Sequence, residues 1–576
     1  MLRGPEARLR LISGLLVLAL LPVLGRLILL QIIERPQWDA EVETLVERSY
    51  ALPVPPSGVI TDRTGALLVG NQPIYDVGAE VALISDKPAA ARELAPLLGR
   101  DVQDLLEDLE IEGYRWWPLA WGVGGEAAEQ LEALKAGAYY WLTLEPKWRR
   151  YYPEGTLACH TLGFVNAQGY GFGVEAAQQR FLRPQSVERT GVVDVVSNPF
   201  PEELAQGGLR AYPGTDLKLT IDRTIQAFVE GELAKAIAEY GAYGGNILVI
   251  DPRTGAILAM ASSPIYDPGN YGQYAEAQRH LFVDPIISVP YEPGSVFKVI
   301  SVAAALDSGS VGPDWSYYDN GAVEYGGVVI RNSDRQAHGY QNLQGVIDRS
   351  LNVGVATLST RHMGADLFFQ YVRGFGFGRK TGIDLTGEVA GLVRLPTDWD
   401  WTDSSLATVP FGQGIAVTPL QMATAVSALA NHGTMMAPYV VAERHYPDGR
   451  VVTTPVRTLG QPISRATADH VTELMGNYIA NRLENAQVPG YRIAGKTGTA
   501  QIPVSGGYDP VNVMTSFVGF GPLPDPELLI LVNIDKPQNP VHLRWGTQTA
   551  APLFQRVASR LFVLLGIPPT ELVASE

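Results

Sequence analysis

Hydrophobic and polar positions follow different periods in different parts of the chain. Between residues 57 and 84, "SGVITDRTGALLVGNQPIYDVGAEVALI", apolar residues alternate with polar ones between Gly and Asp-Arg turns. That is the period of short strands joined by hairpins. Residues 88–110, "PAAARELAPLLGRDVQDLLEDLE", change to three- and four-residue spacing and predict two short helices joined at Gly99. The segment 111–210 is loop-rich, with "GYGFGVEAAQQRFL" (169–182) leading into a helix. "AYPGTDLKLTID" (211–222) reads as a boundary strand, and an amphipathic helix follows over 223–241. In "GGNILVIDPRTGAILAMASSP" (244–264) two apolar strands flank the turn "DPRTG". A helix followed by an antiparallel hairpin is not a βαβ rhythm. It predicts an α+β fold, an antiparallel sheet with helices packed on it.

The N-terminus has a different pattern. Residues 11–33, "LISGLLVLALLPVLGRLILLQII", are apolar apart from Arg26. As a helix they extend about 35 Å, enough for a bilayer core. Arg3, Arg8 and Arg10 precede the run and Glu34, Asp39, Glu41 and Glu43 follow it. Basic residues stay inside, so the expectation is a single-pass anchor with residues 1–10 in the cytoplasm and the rest outside. A cleaved signal peptide would have a shorter apolar core and an A-x-A-like site, which this stretch lacks. Arg26 is costly in mid-bilayer, and of snorkelling or facing a partner helix the latter is the expectation.

Composition narrows the function. Across 576 residues the net charge is −16, and no cluster of Lys and Arg offers a phosphate-binding surface, which excludes a nucleic-acid binder. Cys159 is the only cysteine, so no intramolecular disulfide or cysteine-based metal site is expected. Beside His160 it could suggest a thiol nucleophile, but a half-buried small residue is the simpler reading. No H-E-x-x-H and no G-x-S-x-G is present, so neither a zinc peptidase nor a Ser-His-Asp hydrolase is expected, and no metal or cofactor.

Three short stretches carry the candidate chemistry. "YEPGSVFKVI" (291–300) places Ser295 and Lys298 three apart at the start of an apolar helix. Ser295 reads there as a cap beside a solvated lysine, or as a nucleophile. A desolvated Lys298 on the same face would lose proton affinity and serve as its base. "RSLNVGVATL" contains Ser350 and Asn352, and "IAGKTGTAQ" contains Lys496, Thr497, Gly498 and Thr499. "KTGT" suits an edge strand, with the glycine admitting another backbone. The lysine and hydroxyls suit a carboxylate. "GYRIAGKT" (490–497) also matches a nucleotide phosphate loop, but Gly498, Pro503, Gly506 and Gly507 forbid the helix that motif needs.

S-x-x-K, S-x-N and K-T-G in this order are the signature of serine penicillin-binding proteins and β-lactamases. Nearly the whole chain resembles the class B penicillin-binding proteins, which are monofunctional peptidoglycan D,D-transpeptidases. "PPSGVITDRTGALLV" is similar to their pedestal motif, although Ser57 stands where an arginine is usual. "CHTLGFVN" and "GYGFGVEAAQQRFL" resemble later pedestal blocks. "VIDPRTGAILAMASSPIYDP", "PFGQGIAVTPLQMATAVSALANHG" (410–433) and "TSFVGFGPLPDPELLILVNID" (515–535) resemble blocks of the transpeptidase domain. The resemblance implies an α+β chain with a transmembrane anchor (11–33), a dimerisation-type pedestal (38–210) and a penicillin-binding domain (215–570). It implies a bacterial cytoplasmic-membrane protein with its catalytic domain outside the cytoplasm.

The resemblance also implies roles. Ser295 would attack a D-Ala-D-Ala stem peptide, Lys298 would take its proton, and Ser350 would relay a proton to the leaving D-alanine. Asn352 would orient Lys298 and hold a substrate amide. Lys496, Thr497 and Thr499 would bind the terminal carboxylate, with Gly498 giving close approach. The backbone N–H groups of Ser295 and Thr499 would form the oxyanion hole. β-Lactams would trap Ser295. Gln413 and Gly414 are candidates for the cleft border, and Asp62, Arg63 and Glu175 for ion pairs that hold pedestal geometry. "SLNVGVA" resembles the division branch, because elongation members often carry Asp where Asn352 stands. The implied partner is a polytopic glycosyltransferase of the shape, elongation, division and sporulation family. An elongation-type transpeptidase, a D,D-carboxypeptidase and an anchored β-lactamase are the alternatives. The last needs an E-x-x-L-N-like segment between 352 and 496, which is absent.

Overall fold

Strands rich in apolar residues form the central sheet. The computed structural model describes residues 5–33, 47–51, 54–184, 188–192, 212–538 and 544–570. They divide into two compact units, one drawn from 1–56, 73–148 and 184–213, the other from 57–72, 149–183 and 214–576.

In the first unit the end of the strand Leu67–Ala79 pairs antiparallel with Trp117–Gly124, Ala79 opposite Trp117. The helices Lys87–Leu98 and Val102–Leu109 form where the spacing predicts, and Gly99 ends the first in the left-handed region. Their apolar faces, with Leu94, Leu105, Leu109 and Leu131, form one core. The apolar run 11–33 lies on the helix Pro5–Ile28 and the turn Leu29–Ile33, with Leu15, Leu18, Leu21 and Leu24 exposed. Among the residues whose side chains are described, no helix is long and apolar enough to cross a membrane. Glu34, Asp39, Glu41 and Glu43 lie outside the described residues.

The second unit is built on five antiparallel strands: β1 (Gly244–Ile250), β2 (Ile257–Ser263), β3 (Ala494–Val504), β4 (Gly507–Gly521) and β5 (Leu528–Asp535). Their order across the sheet is β2-β1-β5-β4-β3, which leaves β3, the "KTGT" strand, at an edge. β1 and β2 form the expected hairpin around "DPRTG", with Leu248 opposite Met260. β1 is buried throughout and is apolar apart from Asn246. The helix Arg223–Tyr240 starts where the Asp222 carboxylate accepts from Thr224 N and Ile225 N, and it buries Ile225, Val229, Leu233, Ala236 and Tyr240. Those positions recur every three or four residues, so one stripe faces the sheet. The short strand Ile60–Thr61 pairs parallel with Asp216–Leu219.

Asp62 and Glu175 are fixed differently. Glu175 is buried and pairs with Arg150, whose guanidinium also donates to the Gly58 carbonyl and Asn71. Asp62 closes a turn instead, accepting from Thr64 N, Ala66 N and Arg223 N. Burial raises the Asp62 carboxyl, and these donors outweigh it, so its pKa lies below the ordinary value. Arg63 lines a separate cavity with Lys218, Asp251 and Glu527.

Candidate active site

The glycines around Ser295 explain how the backbone can fold there. Gly294 has φ +58° and its N–H donates to the Gly412 carbonyl at 3.1 Å. A Cβ on Gly412 would lie 2.2 Å from the Gly294 oxygen. Two chain segments therefore pass at backbone contact, which no larger residue permits. Ser295 sits in the tight turn Gly294–Phe297, and the helix Lys298–Asp307 continues directly from it. That helix buries its first eight residues, apolar ones and Lys298 alike. Serine and lysine are thus one turn apart, the serine half-exposed and the lysine with no exposed surface.

Lys298 Nζ donates to both the hydroxyl oxygen of Ser350, at 3.0 Å, and the Ser350 carbonyl. Ser350 presents both oxygens because it adopts φ +54°, a left-handed conformation uncommon outside glycine. Such strain at a residue facing a buried amine is a mark of function. Burial, reinforced by the nearby Lys496, holds the Lys298 amine well below its ordinary pKa. That shift favours the neutral amine, the form able to accept a proton.

Lys496 lies within β3 with no exposed surface. Its Nζ donates to Thr497 O at 3.2 Å and Thr497 Oγ1 at 3.4 Å, and it stands 4.9 Å from the centre of the Tyr478 ring. The Tyr478 and Thr497 hydroxyls are 2.9 Å apart. Burial lowers the Lys496 pKa to about 7, against an opposing pull from Asp348. The strand setting of Lys496 disposes of the phosphate-loop match. Gly498 fits because a Cβ there would lie 2.2 Å from Ser516 Oγ, 2.7 Å from Val296 Cγ2 and 3.0 Å from the Pro293 oxygen. The edge strand thus packs directly against the serine turn.

A cleft of about 580 Å³ opens at that junction, lined by Ser295, Asn352 and Thr499. Lys298, Ser350, Lys496, Thr497 and Gly498 are not among its lining residues. Asn352 differs from expectation: its Nδ2 donates to the Arg331 carbonyl at 2.9 Å, while the described hydrogen bonds of Lys298 go to Ser350. Thr499 Oγ1 accepts from Gly546 N at 3.0 Å. Gln413 lines the cleft, and Gly414 N donates to Glu292 at 2.9 Å.

The sequence reading did not single out Ser333, Phe411, Val511, Arg544 or Trp545, which also line the cleft. Nor did it find the buried pair Asn332 and Asp319, which fastens the S-x-N turn: Asn332 accepts from Val353 N and donates to Asp319 at 2.7 Å. No local motif marks these residues, which come from hairpins and loops distant in sequence. Cys159 is buried, its Sγ 3.4 Å from His160 Nδ1, and burial pushes its thiol up to about 12. That protonated thiol is no nucleophile.

Two family models match the chain: the penicillin binding protein transpeptidase domain over residues 245–559, and the penicillin-binding protein dimerisation domain over 53–194. Stage V sporulation protein D of Bacillus subtilis is 32% identical over 531 residues, 89% of this chain and 79% of that protein. The probable peptidoglycan D,D-transpeptidase PenA of Neisseria gonorrhoeae is 29% identical, covering 91% and 87%. Penicillin binding protein 3 of Mycobacterium tuberculosis, solved in complex with aztreonam, superposes with a TM-score of 0.68 at 27% identity, covering 91% of this chain and all of that one.

Proposed function

The chain belongs to the penicillin-binding protein transpeptidase family, and we propose from that membership and from its site that Ser295 carries the reaction of a peptidoglycan D,D-transpeptidase. One observation carries the assignment: the fully buried amine of Lys298, one turn from Ser295, against the Ser350 hydroxyl at 3.0 Å. In the first half-reaction Ser295 Oγ attacks the penultimate carbonyl of a D-Ala-D-Ala donor. Its proton passes to neutral Lys298, and D-alanine leaves with a proton delivered through Ser350. The N–H groups of Ser295 and Thr499 stabilise the oxyanion, an interaction worth about 3–4 kcal/mol per donor in acyl transfer. The donor lies along the exposed edge of β3 as an added strand. Lys496, Thr497 and Thr499 hold its terminal carboxylate, and Asn352 a substrate amide. In the second half-reaction the amine of another stem peptide attacks the ester, forming the cross-link and returning the proton to Ser295. A carboxypeptidase differs in using water at that step.

The setting follows from the N-terminus. Residues 11–33 anchor the chain in the bacterial cytoplasmic membrane, with residues 1–10 inside and the catalytic unit outside. The support is an apolar run, its leucines exposed on a helix, with arginines before the run. The pedestal is assigned to 38–210 and the penicillin-binding domain to 215–570. The role is septal, in keeping with Asn352 in the second motif. A polytopic glycosyltransferase of the shape, elongation, division and sporulation family is the partner, and swapping 11–33 for an unrelated span should abolish copurification with it. The catalytic assignment is tested by mixing the full chain in detergent with a D-Ala-D-Ala stem peptide and following dimeric peptide by mass. Ser295→Ala must remove the product; cross-linking that survives the substitution overturns the assignment.

A further inference from the structure

Five positions in one row across the sheet are small or polar where a core would be apolar. Gly498, Ser516, Asn533, Asn246 and Ser262 stand opposite one another across β3, β4, β5, β1 and β2. Residues paired in this way share a face. It is the face met by the segment before Ser295, since a Cβ on Gly498 would approach the Pro293 oxygen. Part of the row borders a cavity of about 750 Å³ between the sheet and residues 285–292. Asn246, Asn533, Tyr291 and Glu292 line it.

These four side chains are 6%, 0%, 9% and 8% exposed. The Asn533 carboxamide and the Tyr291 hydroxyl interact with each other, while Asn246 Oδ1 and Glu292 Oε2 have no hydrogen-bond partner. Buried polar groups are normally paired, so these unmatched acceptors beside the Tyr291–Asn533 pair on one cavity point to a polar ligand. The other walls, including Pro285, Ile502 and Met514, are apolar and suit small methyl side chains. Glu292 adds an acidic group suited to an ammonium, whereas Asp535 stands beside Lys536, which lines the cavity as well. Gln501 lines both this cavity and the active-site cleft, so the two are neighbours. Glu292 joins them as well: its Oε1 accepts from Gly414 N at 2.9 Å, beside Gln413 of the cleft, and from the Tyr508 hydroxyl at 3.2 Å.

We propose that this cavity is the subsite for the acceptor, a stem peptide bearing a free amine. Its amides meet Asn533, Asn246 and Tyr291, and its amine reaches the cleft past Glu292 and Gln501. The proposal rests on the transpeptidase reading. The amine then attacks the Ser295 ester carbonyl; the new amide C–N bond forms, the ester C–O bond breaks, and the amine proton passes to the serine oxygen. The proximal part of the donor peptide has the same chemistry, and the experiment separates the two.

The full chain in detergent is given a thioester analogue of the donor, and transfer is measured against concentration of a stem peptide that has the amine but lacks the terminal D-alanines. Asn533→Leu, Tyr291→Phe and Val289→Trp, the last at the half-exposed rim, are compared with wild type. Each is expected to raise the half-saturating acceptor concentration tenfold or more. Acylation by benzylpenicillin should stay within twofold. An unchanged acceptor dependence with normal acylation overturns the proposal, and so does a rise confined to the donor's half-saturation. Should Asn533→Leu fail to acylate, it has misfolded, and Val289→Trp decides by the same criteria. Wild-type chain that acylates with penicillin but transfers to no acceptor overturns the transpeptidase reading itself.

Discussion

Replacing Lys496 by methionine should stabilise the fold while abolishing acylation. The unfolded chain binds a proton at this lysine below its ordinary 10.5, the folded chain only below about 7. The fall corresponds to about 5 kcal/mol between the two protonation states. The sign follows from which state carries the extra proton. Between pH 7 and 10.5 that is the unfolded state, so lysine at 496 makes stability rise with pH across the window and imposes the full penalty below it. Methionine has no such proton. It forfeits the two hydrogen bonds to Thr497, worth about 1 kcal/mol each, leaving a gain of about 3 kcal/mol at pH 7. Urea denaturation followed by tryptophan fluorescence, on both chains at pH 7 and 9.5, measures it. The gain should nearly vanish at pH 9.5, because the penalty relaxes by about 1.4 kcal/mol per pH unit. A variant less stable than wild type at pH 7, or a difference independent of pH, refutes the reasoning.

Acylation by penicillin should fall above about pH 7 as Lys496 loses the charge that holds a carboxylate, and Lys496→Arg should remove that alkaline limb; identical profiles would exonerate Lys496. Gly498→Ala should destabilise the chain by about 1–3 kcal/mol and cut acylation at least tenfold, since the Cβ forces β3 off the serine turn; normal acylation kinetics would contradict the packing. Arg150→Met should cost about 3–5 kcal/mol in denaturant unfolding at pH 7, because Glu175 would remain a buried carboxylate without its partner, and Arg150→Met with Glu175→Gln should recover part of it. Recovery of nothing would mean that the Gly58 and Asn71 contacts, not the ion pair, matter there.

Much of this arrangement is legible in the chain because its signals are local. The three- and four-residue spacing in 223–241 and the turn in 251–255 need only neighbours to be read, and the helix and hairpin form there. The serine, asparagine and threonine of the three motifs meet at one cleft because helix start, turn and edge strand each suit their sequence. What is not legible depends on distant partners. Nothing near Asn352 announces that its amide is engaged by the Arg331 carbonyl, nor near Arg544 and Trp545 that they reach the cleft. Chain order also conceals that 57–72 and 149–183 pack in the same unit as 214–570, since the strand Ile60–Thr61 finds its parallel partner at Leu217 and Lys218. The polar row of Ser516, Asn533 and Asn246 is likewise invisible until register aligns three strands.

The central claim is that Ser295 is the nucleophile. Intact-mass and peptide mapping of the full chain after exposure to a fluorescent penicillin tests it most directly, with Ser295→Ala alongside. The account predicts one adduct per chain, located on the peptide containing Ser295 and lost in the variant. An adduct on any other residue, or one that persists in Ser295→Ala, would contradict it.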